Sequence, residues 1–564
     1  MITKVRVRYF KKFEDEEFDL REHIILAGQN NSGKTTLLQA IAVWNLALRK
    51  WLAKRASSKA KIRTGVTITR KEFTAIPLRE MSLLWTNAST ALKKEELQGK
   101  KAGPPRVMTI ALVGKTTADE WELAFEFRYQ GEEVISVKPS VGHEGEIPKA
   151  VEDFNVVHVP PFSGIGAEET QYKREYQDLL IGQGKPGDIV RNLLVEVHAE
   201  KDKPHWDDLR EQIKQLFGFT LLPPNYEGRP FILCEYLPGI PKGKGMNGLP
   251  RLDIASAGSG FHQVLMLLAF FYARPASILL LDEPDAHLHV ILQEQIYDKL
   301  KKIAVDRRCQ LIIATHSEVL IDATSPNRIL SFYKAPHLLV DDTDRDQVRE
   351  ALKRLTVMDM LLAESASGIL YVESESDFNL LRSWAEVLNH PMGAWFNDSP
   401  LWRENKGRNP KEARAHFFAL RAVKPKIKGY LLLDGDNRNL PDRELSGDHL
   451  TIGRWIRYEA ESYLIHPEAL LRFAEAGLPL YANNYLHDKL PGSVFRNPLE
   501  NDDYLNRTPA SKTLLPGFFK EANIDLPKSE YYRIAEQMKK EEIPPEVKEK
   551  LDQIYRALGL QNER

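Results

Sequence analysis

Several short apolar runs in this chain break off at acidic or hydroxyl residues, and the breaks organise it. Ile278 to Leu281 leads straight into Asp282-Glu283-Pro284, and Leu311 to Ala314 into Thr315-His316-Ser317. An unbroken apolar run of this length predicts a strand buried on both faces, as in a parallel sheet, with polar residues emerging at its carboxyl end. In an open α/β sheet that end is where ligands bind. Ile24-Ile25-Leu26 predicts a third such strand, followed by a glycine-rich turn and the helical run LLQAIAVWNLAL. Further along, GILYV ends on Glu373, with a helix opening near Asp377, and KGYLLL (from Lys428) ends on Asp434-Gly435-Asp436.

Alternation marks other segments. The opening MITKVRVRYFKKF alternates like a strand, so residues 1–27 predict two strands leading into the glycine turn. VTITR, VMTIALVG and WELAFEFRY, from Val66, Val107 and Trp121, predict an antiparallel layer. From about Gly166 to Phe217 the pattern becomes helical and charged, as in DIVRNLLVEVHAE and WDDLREQIKQLFG. FILCEYL (Phe231 to Leu237) predicts a return to strand, and PKGKGMNG (Pro241 to Gly248) a flexible loop. The apolar pattern of this first part ends near Tyr333, and Asp341 to Leu352 predicts a helical connector.

The glycine turn carries chemistry. GQNNSGKTT, Gly28 to Thr36, matches G-x-x-x-x-G-K-[ST] in the strand–turn–helix context that a P-loop requires. Its glycines let backbone amides close around phosphate, and the following helix start adds partial positive charge. Gly28, Asn31, Ser32, Gly33 and Thr36 are therefore expected to cradle the phosphates of ATP. Lys34 is expected to reach the β and γ phosphates and Thr35 to bind Mg²⁺. Asp282 is expected to hold that Mg²⁺ through its second shell, and Glu283 to position the attacking water.

P-loop, SAGSG (Ser256 to Gly260), LLLDEPDAHLH and ATHS, in this order, resemble an ABC-type ATPase head of the kind found in SMC, recombination-repair and OLD-family proteins. The resemblance implies that heads dimerise, and that Ser256, Gly258, Ser259 and Gly260 of one cap the γ-phosphate bound by the other. It implies that His316 senses that phosphate. The signature SAGSGFHQ departs from the family's usual LSGGQ or SSGE. The resemblance places His287 and His289 in the D-loop that lines the head-to-head contact, and two histidines without further ligands make a poor metal site.

The second pair of acid-ended strands would concentrate negative charge that divalent metal offsets, and hard oxygen ligands favour Mg²⁺, Mn²⁺ or Ca²⁺ over zinc. The pair is similar to the TOPRIM fold of topoisomerases, primases and OLD-family nucleases, with Ser374 where a glycine is usual. RYEAESYLIHPEAL (Arg457 to Leu470) resembles the acidic segment of OLD-type TOPRIM domains. The implied metal set is Glu373, Asp377, Asp434, Asp436, Glu459 and Glu461. A later lysine is also implied: Lys512 is the first candidate, with Lys520 and Lys528 as alternatives.

Between the two strands Arg403, Lys406, Arg408, Lys411, Arg414, Arg421, Lys424, Lys426 and Lys428 face only Glu404 and Glu412, with Trp395, Phe396 and Trp402 just ahead. Such a run either holds a phosphodiester or is a solvated helix face. The basic stretch Arg49 to Gly65 poses the same choice between backbone contact and connector.

Composition narrows the class. The chain has 564 residues, 43% hydrophobic and 28% charged, which predicts several soluble globular domains. No apolar run approaches a membrane span, and the N-terminus lacks a signal peptide's apolar core. Cys234 and Cys309 stand far apart, which argues against a disulfide framework and points to a cytoplasmic protein. A net charge of −1 supplies no global attraction to nucleic acid, so binding must come from local patches.

The expected architecture is α/β. An ABC head would occupy residues 1–165 and 230–340 around a helical insertion at 166–229, a dimerisation candidate, with a connector at 341–366 and a TOPRIM domain at 367–564. The resemblance implies an ATP-using, metal-dependent nuclease cleaving or nicking DNA in anti-phage defence, as in the Gabija nuclease, retron-associated nucleases and the PARIS system. A separate defence partner protein is one implied partner. Two alternatives stay open: an ATPase sensor restraining a toxic RNase directed at tRNA, and an ATP-driven repair clamp without cleavage.

Overall fold

In the computed structural model the described residues are 1–56, 65–92, 105–116, 119–140, 147–200, 203–240, 249–333, 335–398, 400–405, 410–436, 446–447 and 449–562. The chain forms two compact units, Met1–Arg349 and Glu350–Arg564, with the division inside the helix Asp342–Arg354.

The strands of the first unit, in chain order, are β1 (Ile2–Phe10), β2 (Phe13–Asp19), β3 (His23–Ala27), β4 (Val66–Thr69), β5 (Met108–Lys115), β6 (Glu120–Gly131) and β7 (Val134–Pro139). They continue with β8 (Val156–Val159), β9 (Thr220–Leu221), β10 (Glu235–Leu237), β11 (Leu252–Asp253), β12 (Ile278–Asp282), β13 (Gln310–Thr315), β14 (Ile329–Ser331) and β15 (His337–Leu338). One sheet has the order β15-β14-β3-β13-β12-β8, and its neighbours from β14 to β8 are parallel. The second, β2-β1-β5-β6-β7-β4, is antiparallel. The 23-residue helix Lys34–Ala56 lies between them, packing on β8, β12 and β13 and on β1, β4, β5 and β7. Its apolar residues are buried nearly all round because it has a sheet on either side.

Residues 1–27 carry three strands rather than two. β2 (FEDEEFD) escapes apolar reading because it is mostly acidic. It pairs with β1 through charge: Lys4 and Arg6 meet Glu17, and Arg8 lies 3.7 Å from Asp15. Cross-strand charge pairs can set register where alternation is weak. FILCEYL is also corrected: only Glu235–Leu237 is strand, the centre of the small antiparallel sheet β11-β10-β9. The helical stretch at 166–229 contains helices Arg174–Gly182, Val190–His198 and Pro204–Phe217. The expected loop at 241–248 and the basic residues 57–64 lie outside the described residues. Cys234 and Cys309 are both buried free thiols.

The second unit is built on β16 (Gly368–Val372), β17 (Trp402–Glu404), β18 (Lys428–Leu433), β19 (Ser446–Gly447) and β20 (Leu450–Arg454). The order is β17-β16-β18-β20-β19, parallel except at β19. Its core joins Trp384, Trp455 and Tyr463 to the helix Pro545–Ala557, which packs on β18 and β20. Among the described residues no helix is long and apolar enough to cross a membrane.

Candidate functional site

The parallel order of the first sheet brings the carboxyl ends of β3, β13 and β12 side by side, so the turn after Ala27 meets His316 and Asp282-Glu283 at one rim. Gly33 sits at φ +116°, a conformation open mainly to glycine, and Asn31 at φ 62°. Lys12 Nζ donates to Asn31 O (3.0 Å) and Ser32 O (2.6 Å), bracing the turn from outside. Thr36 lies one step further, in the first turn of the helix that Lys34 opens.

Lys34 is 4% exposed, and its Nζ donates to Gly28 O (2.7 Å) and Gln29 O (2.8 Å). Burial pulls its pKa down to about 8, although Glu283, Asp282 and Asp285 oppose the shift. His316 Nε2 lies 3.1 Å from Lys34 Nζ and 3.3 Å from Glu283 Oε1. The His316 contact is the main cause holding the Glu283 carboxyl below its ordinary value.

Thr35 Oγ1 donates to Asp282 Oδ1 at 3.1 Å. Burial pushes the Asp282 pKa up to about 6. Its other oxygen, Oδ2, is buried without a hydrogen-bond partner among the described residues. A buried carboxylate oxygen of that kind, beside a threonine hydroxyl, fits Mg²⁺ bound with nucleotide phosphates. Asp285 is held by Thr315 Oγ1 (2.5 Å), which ties the segment after β12 to β13.

Ser256, Gly258 and Ser259 are exposed, and Gly260 partly so, at the start of the helix Ser259–Ala273. They lie apart from the P-loop turn in sequence but belong to the same unit. His287 has φ 63° and follows the tight turn at Glu283, φ 51°. Among the described residues no three His, Cys, Asp or Glu side chains form a ready metal-holding group, there or elsewhere.

In the second unit the carboxylates converge. Glu373, at the end of β16, accepts the backbone amide of Asp434, at the end of β18, through Oε1 at 3.1 Å. Asp434 Oδ1 accepts the Ala460 amide (3.2 Å), and Glu459 Oε1 the Ser511 amide (2.5 Å). Burial, then the neighbouring charges of Asp377, Glu373, Glu461 and Glu459, push the Asp434 carboxyl well above its usual range. Asp377 is raised to about 7 by burial and by Glu461, and Glu459 is raised by the same two influences. The five groups thus share one pocket of negative potential without being closed on a common point. That unbalanced charge, carried wholly by oxygen donors, fits a hard divalent cation. Asp436, two residues beyond Asp434, lies at the same strand end.

Ser374 has an extended backbone, φ −151° and ψ 165°, which any residue can adopt. It starts the helix Glu375–Val387, and Asp377 Oδ2 accepts from both its N (2.9 Å) and its Oγ (3.0 Å). Asp377 is therefore also a helix-capping residue.

The three candidate lysines are placed differently. Lys512 is exposed, and the atom of its neighbourhood that reaches the cluster is the amide of Ser511. Lys528 Nζ instead lies 2.8 Å from Glu461 Oε1, whose residue is 1% exposed. Burial alone would lower the Lys528 pKa; the pull of Glu461, Glu459 and Asp377 outweighs it and raises it. Lys520 is exposed on the helix Leu515–Glu521. Of the basic run, Lys406 and Arg408 lie outside the described residues. Arg403 is paired with Asp359 (3.3 Å), and Lys424 Nζ donates to Ala366 O (2.5 Å).

Gly435 and Arg457 were not singled out in the sequence. A Cβ on Gly435 would stand 2.1 Å from Arg457 O and 2.6 Å from Trp455 O, both backbone. Arg457, fully buried, holds that segment by donating to the carbonyls of Ser462, Pro498 and Glu500. Gly435→Ala is expected to separate β18 from the segment bearing Glu459 and to destabilise the second unit by about 1–3 kcal/mol. Urea unfolding checks this, and an unchanged midpoint with unchanged slope refutes it.

A family model described as "AAA ATPase domain" matches residues 1–73, and one described as "AAA domain, putative AbiEii toxin, Type IV TA system" matches residues 245–322. The first stretch holds the P-loop turn and the second the signature, Asp282-Glu283 and His316, so the first unit carries an ATPase domain of the P-loop class. No curated protein matches the chain. The SMC head domain from Thermotoga maritima is 15% identical over 58% of this chain and 94% of its own, with a TM-score of 0.32. An SmcHead bound to the C-winged helix domain of ScpA is 17% identical over 58% and 93%, with a TM-score of 0.33. The Smc head domain with an extended coiled coil from Pyrococcus furiosus, bound to the C-terminal domain of ScpA, is 15% identical over 58% and 92%, with a TM-score of 0.34.

Proposed function

We propose that this chain is an OLD-like ATPase–nuclease, in which ATP bound and hydrolysed by the first unit governs cleavage or nicking of DNA by a TOPRIM-type second unit. The observation that carries this reading is the convergence of Glu373, Asp377, Asp434, Glu459 and Glu461, with Lys528, at one rim of a parallel sheet. Such a cluster has little structural use, because each carboxylate raises the cost of ionising its neighbours.

Glu373, Asp434, Asp436, Glu459 and Glu461 would hold Mg²⁺ or Mn²⁺. The bound ions would activate water and stabilise the leaving oxygen of a phosphodiester. Backbone amides of Ala460 and Ser511 fix the directions of Asp434 and Glu459 without removing their charge. Lys528, half exposed beside Glu461, stands where it can neutralise charge gathering on the phosphate.

In the first unit Lys34, Thr35 and Asp282 would hold the nucleotide and its Mg²⁺, Glu283 would orient water, and His316 would report the γ-phosphate. Heads would pair so that Ser256, Gly258, Ser259 and Gly260 reach the partner's nucleotide. A role in anti-phage defence, with or without a separate partner protein, follows from the resemblance alone.

The test is nicking of supercoiled plasmid by the purified chain with Mg²⁺ or Mn²⁺. Lys528→Met is expected to lower the rate about 100-fold. Lys512→Met is expected to leave it close to wild type, and the reverse ranking would return the role to Lys512. RNA is the second substrate to try, since a toxic RNase is the alternative reading. Cleavage of tRNA but not plasmid would favour the toxic RNase, and binding without cleavage at any divalent ion the repair clamp.

A further inference from the structure

A hydrogen-bond network, buried at Arg191 and open at Ser256, runs from the helical stretch to the signature. Arg191, in the helix Val190–His198, is 1% exposed and donates to Gly166 O (2.8 Å), Ala167 O (3.2 Å) and Asp253 Oδ1 (2.8 Å). Asp253 Oδ1 also accepts the Ala255 amide (2.8 Å), which caps the turn Ile254–Ser256. The Asp253 carbonyl in turn accepts Ser256 Oγ at 2.6 Å, and Ile254 O pairs with His262 Nε2 at 2.7 Å. The signature residues are thus set by a turn whose cap is held by one guanidinium.

The other end of the network is as firmly made. Glu169, 3% exposed, accepts the amides of Arg191 (2.9 Å) and Asn192 (2.6 Å) at the start of that helix. Asn192 Nδ2 donates to Thr170 O (2.8 Å), and Asn192 Oδ1 accepts the Tyr172 amide (2.8 Å). Burial pushes the Glu169 pKa up to about 7 even so. Gly187 meets the same segment closely, since a Cβ there would stand 1.6 Å from Gly164 O. Residues 164–172 follow β8, the neighbour of β12 in the parallel sheet. One arginine therefore joins the segment leaving the nucleotide sheet to the turn that presents Ser256 to Gly260.

From this geometry we infer that Arg191 is a positioning residue for ATP hydrolysis, acting through Asp253 to set the signature residues against nucleotide held by a second copy of the chain. The inference rests on the proposed trans role of the signature. Arg191 acts through Asp253, fixing the direction of its carboxylate and hence the turn. A guanidinium serves here because it can reach two carbonyls and a carboxylate at once in a planar fork, which an ammonium cannot. The consequence is a separation of effects. Loosening the bridge should leave the P-loop intact and impair turnover, since misplacement of a reacting group by about 1 Å costs roughly 100-fold.

The experiment uses the full chain and three measurements: steady-state ATP hydrolysis, binding of a fluorescent ATP analogue, and melting temperature. Asp253→Asn is the gentle variant, because asparagine caps a helical turn as well as aspartate but carries no charge for Arg191. Arg191→Lys keeps the charge and loses the fork. Both are expected to lower kcat about 10- to 100-fold with analogue binding unchanged, and the double variant to be no worse than Arg191→Lys alone. Ser256→Ala is the separate arm for the signature itself. A fall in kcat for Ser256→Ala but not for Asp253→Asn overturns the positioning role and spares the trans reading. No effect from either overturns both. A fall for Asp253→Asn with Ser256→Ala at wild-type rate shows that the bridge acts elsewhere, and this also overturns the inference. Additive losses in the double variant do the same.

Discussion

Glu373→Gln is expected to reduce plasmid nicking at least about 100-fold while leaving ATP turnover at the wild-type rate. Glutamine retains the Oε1 acceptor for the Asp434 amide, so the ends of β16 and β18 stay together. What it removes is one charge from the shared pocket. The same change should improve the metal-free protein. Asp377, near 7, and Asp434 are raised by burial and by their neighbours, Glu373 among them. For an acid raised in the folded state, the stability it contributes is complete below its unfolded pKa near 4 and is lost as pH climbs through its folded value. The melting temperature of metal-free wild type should therefore fall between about pH 4 and pH 7, and Glu373→Gln should flatten that fall. Added Mn²⁺ should restore wild type at pH 8 more than the variant. Nicking at wild-type rate by Glu373→Gln would remove the cluster from the chemistry.

Lys34→Ala is expected to remove ATP turnover, by about 100-fold or more, through loss of a buried cation aimed at developing phosphate charge. Lys34 is held by Gly28 O and Gln29 O beside His316, in a site that depresses its pKa to about 8. Its charge is favoured by Glu283, Asp282 and Asp285 and opposed by burial. An incoming phosphate would add to the favourable side, so nucleotide affinity in wild type should weaken as pH rises past 8. Phosphate release and analogue binding measure the two effects. Turnover in Lys34→Ala close to wild type would mean that ATP is hydrolysed elsewhere.

The readability of this sequence varied with the range of the interactions concerned. Ile24 to Leu26, Ile278 to Leu281 and Leu311 to Ala314 were legible as strands because burial on both faces leaves an unbroken apolar run. Their polar ends were legible as a rim for the same reason, as were Glu373 and Asp434. β2 was not, since its partners are charges on β1 rather than a periodic apolar face. The extended backbone of Ser374 and its bonds to Asp377 were not legible, since they depend on how the turn after β16 meets the helix Glu375–Val387.

Lys528 lies 67 residues beyond Glu461, and nothing local distinguishes it from Lys512 or Lys520. Arg191 and Asp253 are likewise 62 residues apart. The sequence by itself determined that a P-loop strand, its helix and acid-ended strands exist, because those signals are written in neighbouring residues through burial and backbone geometry. The tertiary structure alone decided which lysine stands among the carboxylates, why Gly435 must lack a side chain and what holds the signature turn. Those outcomes depend on distances between segments far apart in the chain, which no local periodicity encodes.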